Sequence, residues 1–402
     1  MTEKKLPEGW EWRKLRDIAE INPKFNKDTV SADTNVSFLP MSCIEEMTGK
    51  IDRSQIRPLN EVIKGYTPLQ DGDLLFAKIT PCMENGKIVV ADNLENGLGF
   101  ASTEFHVIRF GRNMIPNFYR YYLLQEKIRK QAEKNMTGSA GQKRVPTSFI
   151  QNLVVPVPPL DTQRKIVAIL EKVEATQRLR AEADFQGHKL IYNAFNGFFG
   201  DFDENPYGWE IVELRDIVRE KITDGVHKTP KYCEDGVPFI SANNIKNNQI
   251  DFTRCKKIST EEHELLARRC NPENGDILLS KVGTLGMVAK VDNDNLSIFV
   301  QLALIKPNKK LINSNFLKYA LLTNSLQKQI QSYANMSTMK YIGVGKIGLL
   351  KIVLPPISIQ ESFSSIVEWV EKIQEGQQKS KNEVNTLFSG LMIRAFTGEL
   401  VA

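Results

Sequence analysis

The stretch GWEWRKLRDI (residues 9–18) returns as GWEIVELRDI at residues 208–217. Gly, Trp, Glu, Leu, Arg, Asp and Ile keep their places in both copies. The copies lie about half the chain length apart in a sequence of 402 residues. Self-similarity at a long period indicates that a whole structural unit is repeated. The sequence therefore predicts two similar halves.

Further pairs of segments repeat in the same order along the two halves. They are FLPMSCI and FISANNI (38–44, 239–245), GDLLFAKIT and GDILLSKVGT (72–80, 275–284), NFYRYYLL and NFLKYALL (117–124, 315–322), and LVVPVPPL and IVLPPISI (153–160, 352–359). Because the order is kept, duplication explains the pattern better than coincidence does.

Each half combines short apolar runs, typical of strands, with turns rich in Gly, Asn and Pro. One amphipathic helix is predicted late in each half, at residues 117–134 and 315–333. Helices do not alternate regularly with strands, so the pattern favours an α+β fold over a doubly wound sheet. A long helical pattern follows each module. The predicted order is module 1–157, helix 158–200, module 201–354 and helix 355–402.

Both long helices have clear start signals. Pro158-Pro159 precede Asp161, a good N-cap, and Pro355-Pro356 precede Ser358, with Glu361 in capping-box position. Apolar residues at steps of three and four predict a helix seam. The seam positions are Ile166, Ile169 and Val173 in the first helix, and Phe363, Ile366, Val370, Ile373, Val384, Leu387 and Leu391 in the second.

Two such helices would most economically pack against each other as an antiparallel coiled coil, leaving seam surface for docking other chains. Two unrelated surface helices are the alternative. Roughly 34 helical residues would span about 50 Å.

The composition indicates a soluble globular protein, with 41% apolar and 25% charged residues. No apolar run approaches the ~18 residues of a membrane-spanning helix, and the first residues lack the apolar core of a secretory signal. The five cysteines are odd in number and never form CxxC. A reduced cytoplasm is therefore the expected location.

The net charge of +5 is modest, but its distribution is uneven. Residues 295–360 contain eight lysines and no Asp or Glu, and residues 105–160 contain nine Lys or Arg against Glu126 and Glu133. A local basic field suits a polyanion such as DNA, although a solvated basic face without a ligand remains an alternative. Two basic modules about 50 Å apart would address points separated by about one and a half turns of DNA.

Candidate DNA-reading residues are polar and basic side chains on loops and strand ends, since these types contact base edges and phosphates. The first set is Thr137, Ser139, Gln142, Lys143 and Arg144 in MTGSAGQKR, with Ser337, Thr338 and Lys340 as counterparts in the second half. The second set is His227, Lys228, Thr229 and Lys231 in HKTPKY. The third set is Lys78 and Thr80, repeated as Lys281 and Thr284. Ordinary polar turns, and lysines lying over their own core, are the alternatives.

Over nearly its whole length the chain resembles the specificity subunit of type I restriction–modification systems. The motifs that carry the resemblance are the opening L-P-x-G-W-x-x-x-x-L-x-D-I (6–18) with its copy at 208–217, DGVHKTPKY (224–232) before GVPFISANNI (236–245), GDILLSKVGTLG (275–286), TGSAGQKRVP (137–146), PPL-x-x-Q (158–163) and AFTGEL (395–400). Each is weak alone, but their order is specific.

The resemblance implies that each module is a target recognition domain for one half of a bipartite sequence in double-stranded DNA. The helices would be spacers that dock two modification subunits. These partners would bind S-adenosylmethionine and methylate adenine, and restriction subunits would add ATP- and Mg-dependent translocation and cleavage. The chain itself is expected to hold no catalytic centre, cofactor or metal.

The residues agree with that expectation. Asn205-Pro206-Tyr207 is only part of a methyltransferase motif, and GVGKIG (343–348) lacks the upstream Gly and the following Ser or Thr of a phosphate-binding loop. The four histidines lack metal-ligand spacing. Two rival functions stay open, a DNA-binding regulator that dimerises through its helices and a hydrolase with an unrecognised site.

Overall fold

The computed structural model describes residues 7–26, 30–51, 55–139, 141–334 and 340–401. Contacts divide the chain into two compact units. Unit 1 takes residues 1–181 and 379–402, and unit 2 takes residues 182–378. Each unit mixes helices and sheets, which confirms the α+β class. No helix within the described ranges is both long and apolar enough to span a membrane.

Unit 1 is built on two four-stranded sheets and a strand pair. Its elements are β1 (Glu11–Lys14), β2 (Ala19–Ile21), β3 (Asn35–Leu39), β4 (Ile56–Pro58), α1 (Leu59–Val62), β5 (Thr67–Gln70), β6 (Leu74–Ala77), β7 (Ile88–Val90), β8 (Leu98–Ala101), β9 (Phe105–Phe110), α2 (Pro116–Leu124), α3 (Glu126–Lys134), α4 (Thr147–Asn152) and β10 (Val154–Val157). The strand orders are β2-β9-β6-β7, β4-β3-β8-β5 and β1-β10. Only the pairing of β3 with β8 is parallel among these described strands.

Unit 2 repeats this plan. Its elements are β11 (Glu210–Glu213), β12 (Thr223–Asp224), β13 (Val237–Ile240), β14 (Ile245–Lys246), β15 (Gln249–Ile250), β16 (Lys256–Ile258), α6 (Thr260–Ala267), β17 (Ile277–Ser280), β18 (Val288–Lys290), β19 (Ser297–Ile298), β20 (Leu302–Ile305), α7 (Ser314–Leu321), α8 (Asn324–Ser332), α9 (Val344–Ile347) and β21 (Lys351–Leu354). Its sheets are β12-β20-β17-β18, β16-β13-β19, β14-β15 and β11-β21. The four-stranded sheet β12-β20-β17-β18 and the pair β11-β21 match unit 1 and confirm the internal repeat. Among the described strands, the second sheet has three strands instead of four, and β14-β15 is an additional pair.

A repeated Gly-Asp pair shows why the same local structure forms twice. Gly72 has φ +88, a left-handed conformation that residues with a Cβ rarely adopt. Asp73, which follows it, is buried and binds Arg109 of β9 at 2.7 Å. The pair therefore turns the chain into β6 and ties β6 to its neighbour in the sheet. The equivalent residues in unit 2 are Gly275 (φ +90), Asp276 and Lys306, with the ion pair at 2.9 Å.

The long helices are α5 (Leu160–Phe199) and α10 (Ile357–Thr397). In each helix the first backbone bond is accepted by the preceding proline, since Gln163 N–H donates to Pro159 and Ile359 N–H donates to Pro356, both at 3.0 Å. The helices therefore begin slightly before the N-caps predicted at Asp161 and Ser358. Pro159 and Pro356 thus occupy the N-cap positions, and proline has no side-chain acceptor for the free N–H groups of the first turn.

Each unit contains a part of both helices, and the parts run antiparallel. In unit 1 the side chain of Gln177 donates to Asn385 at 2.8 Å. The unit 1 core includes Ile166 and Leu170 from α5 and Met392 and Phe396 from α10. In unit 2, Phe195 and Phe199 of α5 each lie 5.4 Å from Phe363 of α10, between ring centroids. The predicted antiparallel packing is confirmed.

The inward face of α10 follows a slightly different register from the predicted seam. Phe363, Val367 and Val370 are buried, whereas Ile373 is 41% and Leu387 is 53% exposed. The heptad continues inward through polar positions such as Gln374, so these two apolar residues face outward. The other predicted seam residues are buried (Ile166) or half-buried (Ile169, Val173, Ile366, Val384, Leu391).

Candidate nucleic-acid interface

The structure brings two of the predicted sets together in unit 1. The carbonyl of Lys78, just after β6, accepts the N–H of Val145 at 2.8 Å, and Thr80 N–H donates to the carbonyl of Lys143 at 3.0 Å. Thr137 and Arg144 exchange both backbone hydrogen bonds, at 3.0 and 2.8 Å. We call this surface, residues 78–80 with 137–139 and 141–144, edge 1.

The tip of edge 1 is a tight turn with exposed polar side chains. Gln142 N–H donates to the carbonyl of Ser139 at 3.0 Å. Gly138 has φ +123, and a Cβ there would lie 2.8 Å from the carbonyl oxygen of Gln142. Only glycine fits this position. Ser139, Gln142 and Lys143 are all exposed, so edge 1 presents donors and acceptors to solvent on a defined backbone.

Arg144 is already engaged within edge 1. Its guanidinium donates to both carboxylate oxygens of Glu104, with Nη2–Oε1 at 2.7 Å and Nε–Oε2 at 3.0 Å. The hydrogen bond from Arg144 lowers the pKa of Glu104 below its ordinary value. A bidentate pair of this kind holds the arginine in one orientation. Arg144 therefore holds the end of the loop in place. A base could accept hydrogen bonds from both sides of the guanidinium only after displacing Glu104.

A cleft of about 580 Å³ adjoins edge 1. Its lining residues are Thr80, Glu84, Lys130, Glu133, Lys134, Met136, Gly141 and Lys143. The Glu84 Oε1 accepts from the hydroxyl of Thr80, while its Oε2 is buried and has no hydrogen-bond partner among the described residues. Carboxylates accept from the amino groups of bases. Glu84 was not found from the sequence, because one carboxylate near a repeated Lys-Thr pattern carries no distinguishing signal.

His106 lies beneath edge 1 and is buried. Its Nε2 lies 2.8 Å from the carbonyl oxygen of Val145, which can only accept, so Nε2 carries the proton. The Nδ1 then accepts from the side-chain amide of Asn22 at 3.5 Å. Burial lowers the pKa of His106 below its ordinary value. A neutral imidazole therefore donates a hydrogen bond to Val145, the residue that follows Arg144.

Unit 2 has an equivalent surface with different side chains. Ile342 N–H donates to the carbonyl of Lys281 at 2.9 Å, and Gly283 N–H donates to the carbonyl of Lys340 at 3.0 Å. Tyr341 occupies the place of Arg144, and it is exposed. Thr284 and Lys340 are exposed as well. We call residues 281–284 with 340–342 edge 2. The predicted Ser337 and Thr338 lie outside the described residues.

Lys281 is buried, in contrast to the exposed lysine expected of a direct reader. Its Nζ binds Asp224 at 3.1 Å, and Arg269 binds the same carboxylate at 2.7 Å. His227 Nε2 lies 3.4 Å from it. Burial raises the pKa of Asp224, but hydrogen bonds from Lys281 and His227 outweigh burial and hold it below its ordinary value. Asp224 and Arg269 were missed because they come from distant parts of the sequence.

The Asp224 cluster places the predicted HKTPKY segment beside edge 2. Val226 N–H donates to the carbonyl of Ile298 at 3.1 Å, and His227, Lys228, Thr229 and Lys231 are exposed. Farther along, Cys233 N–H donates to the carbonyl of Lys257 in β16 at 3.0 Å. The Lys256 ammonium lies 4.1 Å from the ring centroid of Tyr232. The basic strand β16 thus extends this surface beyond the residues predicted from sequence.

No group of His, Cys, Asp or Glu side chains in the described parts of the chain is arranged to hold a metal ion.

Comparison with known proteins gives a family for both halves. The model of the type I restriction modification DNA specificity domain matches residues 7–183 and 206–386. The two matches cover most of the chain and agree with its duplication. The resemblance identified from the sequence motifs is thereby confirmed.

Relatives with curated names agree. The specificity subunit of the type I restriction enzyme EcoAI from Escherichia coli is 44% identical over 165 residues, 40% of this chain and 27% of that protein. The chain thus matches only about a quarter of that relative's length. The putative type I restriction enzyme MjaX specificity subunit from Methanocaldococcus jannaschii is 26% identical over 425 residues, 98% of this chain and 94% of that protein.

Solved structures share the fold. The S subunit of a type I restriction-modification system from M. genitalium has a TM-score of 0.58 at 15% identity, with 98% of this chain and 99% of that chain covered. A chain from a study of assembly of the type I R-M system has a TM-score of 0.57 at 24% identity, covering 98% and 100%. At these identities the likeness concerns the fold.

Proposed function

This chain belongs to the type I restriction–modification DNA specificity family, and from that premise we propose that it reads a bipartite target in double-stranded DNA. Each module would read one half-site, and the sequence between the half-sites would be left unread. The chain directs catalytic partner subunits to the target and performs no chemistry itself.

One observation carries the proposal, namely the duplication of the edges. In both modules a strand end and a loop end are joined by the same pair of backbone hydrogen bonds, at Lys78 with Val145 and at Lys281 with Ile342. The side chains on that shared backbone differ, since Arg144 corresponds to Tyr341. Reading two different half-sites requires equivalent backbone positions that carry different side chains.

The edges supply different kinds of contact. In edge 1, Gln142 and Lys143 are the exposed candidates for base edges, and each well-placed bidentate contact contributes about 1–3 kcal/mol of discrimination. In edge 2, Lys340 and Tyr341 take this role. Lys228 and Lys231 beside edge 2 suit phosphates, whose contacts position the protein without reading sequence. Lys281 contributes by orienting Asp224 and His227 rather than by touching a base.

The long helices would set the length of the unread gap. The 40 residues of α5 correspond to about 60 Å at 1.5 Å per residue, which is longer than one turn of DNA. The sequence alone predicted about 50 Å. A rigid element of fixed length specifies a fixed separation, so a change of gap would require a change in these helices.

The outer faces of the helices would dock the partners. Both helices expose large apolar side chains, at Leu179, Phe185, Leu190, Tyr192, Trp369, Ile373, Leu387 and Ile393. Large exposed apolar side chains mark interaction sites where they form a contiguous patch. We assign them to two modification subunits, with restriction subunits joining the complex. S-adenosylmethionine, ATP and Mg would bind to those partners, and the complex would work in the cytoplasm.

The test is to sequence methylated adenines in cells that contain the partner subunits, with and without this chain. We expect a methylated motif of two short sequences with a fixed gap that disappears when the chain is absent. Methylation that persists without it contradicts the proposal. Tight sequence-specific binding of the isolated chain without any methylation would indicate a regulator, and metal-dependent cleavage by the isolated chain would indicate a hydrolase.

A further inference from the structure

Two of the polar side chains by which each long helix binds its own module recur at equivalent positions. They are Gln163 and Glu174 in α5, and Gln360 and Glu371 in α10. Within each helix the two lie about three turns apart, so they point in nearly the same direction. The arrangement occurs at equivalent positions in both units.

The first attachment is the buried glutamine. Gln163 Oε1 accepts the N–H of Ile115, the residue before α2, at 2.9 Å, and its Nε2 donates to the carbonyl of Pro158 at 2.9 Å. Gln360 Oε1 accepts the N–H of Asn313, the residue before α7, at 2.9 Å. Both glutamine side chains are almost fully buried. We call these contacts the amide staples.

The second attachment in unit 1 is ionic. Arg120 of α2 binds Glu174, with Nη2–Oε1 at 2.5 Å, and the hydroxyl of Tyr121 donates to the same carboxylate at 2.8 Å. The Arg120 side chain is 5% and the Glu174 side chain 16% exposed. Arg120 also donates to the carbonyl of Thr48 at 2.9 Å, which connects the pair to a loop of the module.

Unit 2 has the same attachment with a lysine. Lys318 of α7 binds Glu371 at 3.1 Å, and Lys290 of β18 lies 3.7 Å from the other oxygen. Lys318 is 4% exposed. Arg120 and Lys318 both lie over the ring of the tyrosine that follows them, at 4.7 and 5.2 Å from the centroid. We call the Arg120–Glu174 and Lys318–Glu371 pairs the ionic staples.

Burying a charged pair is a costly way to hold a helix against a module, since an apolar pair of similar volume stabilises packing at least as well. What a buried pair adds is one specified geometry. Apolar contacts such as those of Ile166 and Phe363 also hold each helix against its module. Two polar attachments about three turns apart on one face add a directional constraint against pivoting and sliding. None of the staple residues belongs to edge 1 or edge 2.

We propose that the amide and ionic staples fix the orientation of each module on its own helix and so determine which gap length is accepted. This inference rests on the proposed function and deepens it. Arg120, Glu174, Lys318 and Glu371 are positioning residues. They select the separation of the half-sites and leave the bases within each half-site to the edges.

The test uses the full chain with its modification subunits and a set of DNA targets that keep both half-sites and vary the gap by single base pairs. Glu174→Gln and Glu371→Gln break the ionic staples. The matched controls are Glu182→Gln and Glu375→Gln, two exposed glutamates farther along the same helices. Glu182 accepts a hydrogen bond from Gln186 of its own helix. We expect each staple variant to keep its half-sites and to lose discrimination between neighbouring gap lengths by at least about tenfold. The controls should keep the parental gap.

A second pair of variants approaches unit 1 from the module side. At Gly49 a Cβ would lie 2.6 Å from Arg120 Nε, so Gly49→Ala displaces the arginine and should repeat the effect of Glu174→Gln. Arg120→Lys copies the pair found in unit 2, so it keeps the charge and should largely preserve gap discrimination. Thermal unfolding checks that each variant is folded.

The inference is overturned if folded staple variants keep the parental gap preference, or if methylation falls equally at every gap length. The second pattern would indicate a purely structural role. If Glu174→Gln and Glu371→Gln do not fold, the comparison of Gly49→Ala with Arg120→Lys decides by the same criteria. If the parental complex methylates no bipartite target, the proposed function has failed instead.

Discussion

Arg144 has two possible roles at edge 1, contacting a base or bracing the loop. If it contacts a base, Arg144→Ala should cost about 1–3 kcal/mol of discrimination in one half-site only. Glu104→Gln should then preserve or strengthen recognition, since the guanidinium is released from its partner. If Arg144 braces the loop, both substitutions should weaken the same half-site. Methylation rates on targets with single-base changes distinguish these outcomes.

Arg112→Ala is a suitable control for that comparison, because Arg112 is an exposed arginine of the same module outside edge 1. An unchanged sequence preference and rate for Arg144→Ala would remove Arg144 from the interface altogether.

His106 should make unit 1 sensitive to mild acid. Its pKa is lowered in the folded state by burial, so the unfolded state binds the proton more readily. The stability that the neutral imidazole contributes is therefore complete above about pH 6.5, the ordinary value, and is lost as the pH falls toward the lowered folded pKa. We expect the thermal unfolding midpoint of the chain to drop between pH 7.5 and pH 5.5.

His106→Gln is the matched variant, since a glutamine amide can still donate to the carbonyl of Val145 without titrating. It should flatten the pH dependence in this range while lowering stability at neutral pH. A parental pH profile identical to that of the variant would show that His106 does not titrate on unfolding.

The sequence predicted candidate DNA-reading residues but not the residues that contact them in the fold. The repeated positions of Lys78 and Lys281 were visible as a pattern, and the structure gives them the same backbone contacts. Their side-chain environments differ, because Lys281 is buried and forms an ion pair with Asp224, whereas Lys78 is half-buried. A contact with a residue on another strand produces no pattern of fixed spacing in the sequence. The burial of Lys281 therefore could not be predicted from the sequence.

In the long helices, buried side chains contribute to stability, whereas exposed apolar side chains are available to dock partner subunits. Phe363 is fully buried among Phe195, Phe199 and Tyr319, whereas Trp369 in the same helix is 60% exposed. Phe363→Ala should cost about 3–5 kcal/mol of unfolding free energy through the cavity it leaves. Trp369→Ala should change stability by no more than about 0.5 kcal/mol. Denaturant titration of the isolated chain measures both.

Trp369→Ala and a second variant, Ile373→Ala, test the proposed docking face. Trp369→Ala should weaken capture of the modification subunit by the folded chain, because a large exposed aromatic side chain is a strong contact in interfaces. Ile373→Ala serves as the neighbouring test on the same side. Full binding by both variants would place the docking face elsewhere.

The two long helices were located well and their faces less well. The single helices predicted at residues 117–134 and 315–333 were wrong in one respect, because each is divided into two, at Gln125 and at Leu322–Thr323. The double prolines located the starts of α5 and α10 closely, because the residue before a proline is biased to an extended conformation, which places the helix start after the second proline. The seam of α10 was read from apolar residues alone, which favoured Ile373 over Gln374. In a folded helix pair the register is continuous, so a polar residue can occupy an inward position when its neighbours bury enough apolar surface.

For the whole molecule, the uneven charge predicts how binding responds to salt. Each lysine that neutralises a phosphate releases counterions, and its loss should lower the slope of log affinity against log salt by about 1. Lys340→Ala at edge 2 should show this decrease for all sequences alike if Lys340 binds a phosphate. If it reads a base instead, its loss should weaken only targets carrying the matching half-site. Binding titrations of the assembled complex at several salt concentrations measure the slope.

Lys172→Ala provides the comparison, since Lys172 is exposed on α5 and outside both edges. A decrease in slope as large as that of Lys340→Ala would mean that the effect reports general charge rather than contact at edge 2.

The repeat itself was the most predictable property of the molecule. Paired motifs gave two modules of one plan, because duplicated sequences keep the turns and buried strands that define a fold, as Gly72 and Gly275 illustrate. The grouping of helix halves with modules was not predictable. It depends on a core that joins residues far apart in the chain, such as Ile166 and Phe396.

That grouping bears on how the protein is made. The core of unit 1 includes Met392 and Phe396, which leave the ribosome after every residue of unit 2. Unit 2 is contiguous in the chain and can fold first. Until α10 has been synthesised, part of the apolar surface of the first module stays exposed. Exposed apolar surfaces of this kind bind chaperones and promote aggregation. The module synthesised first is thus the last to be finished, and its yield should depend on the speed of translation through α10.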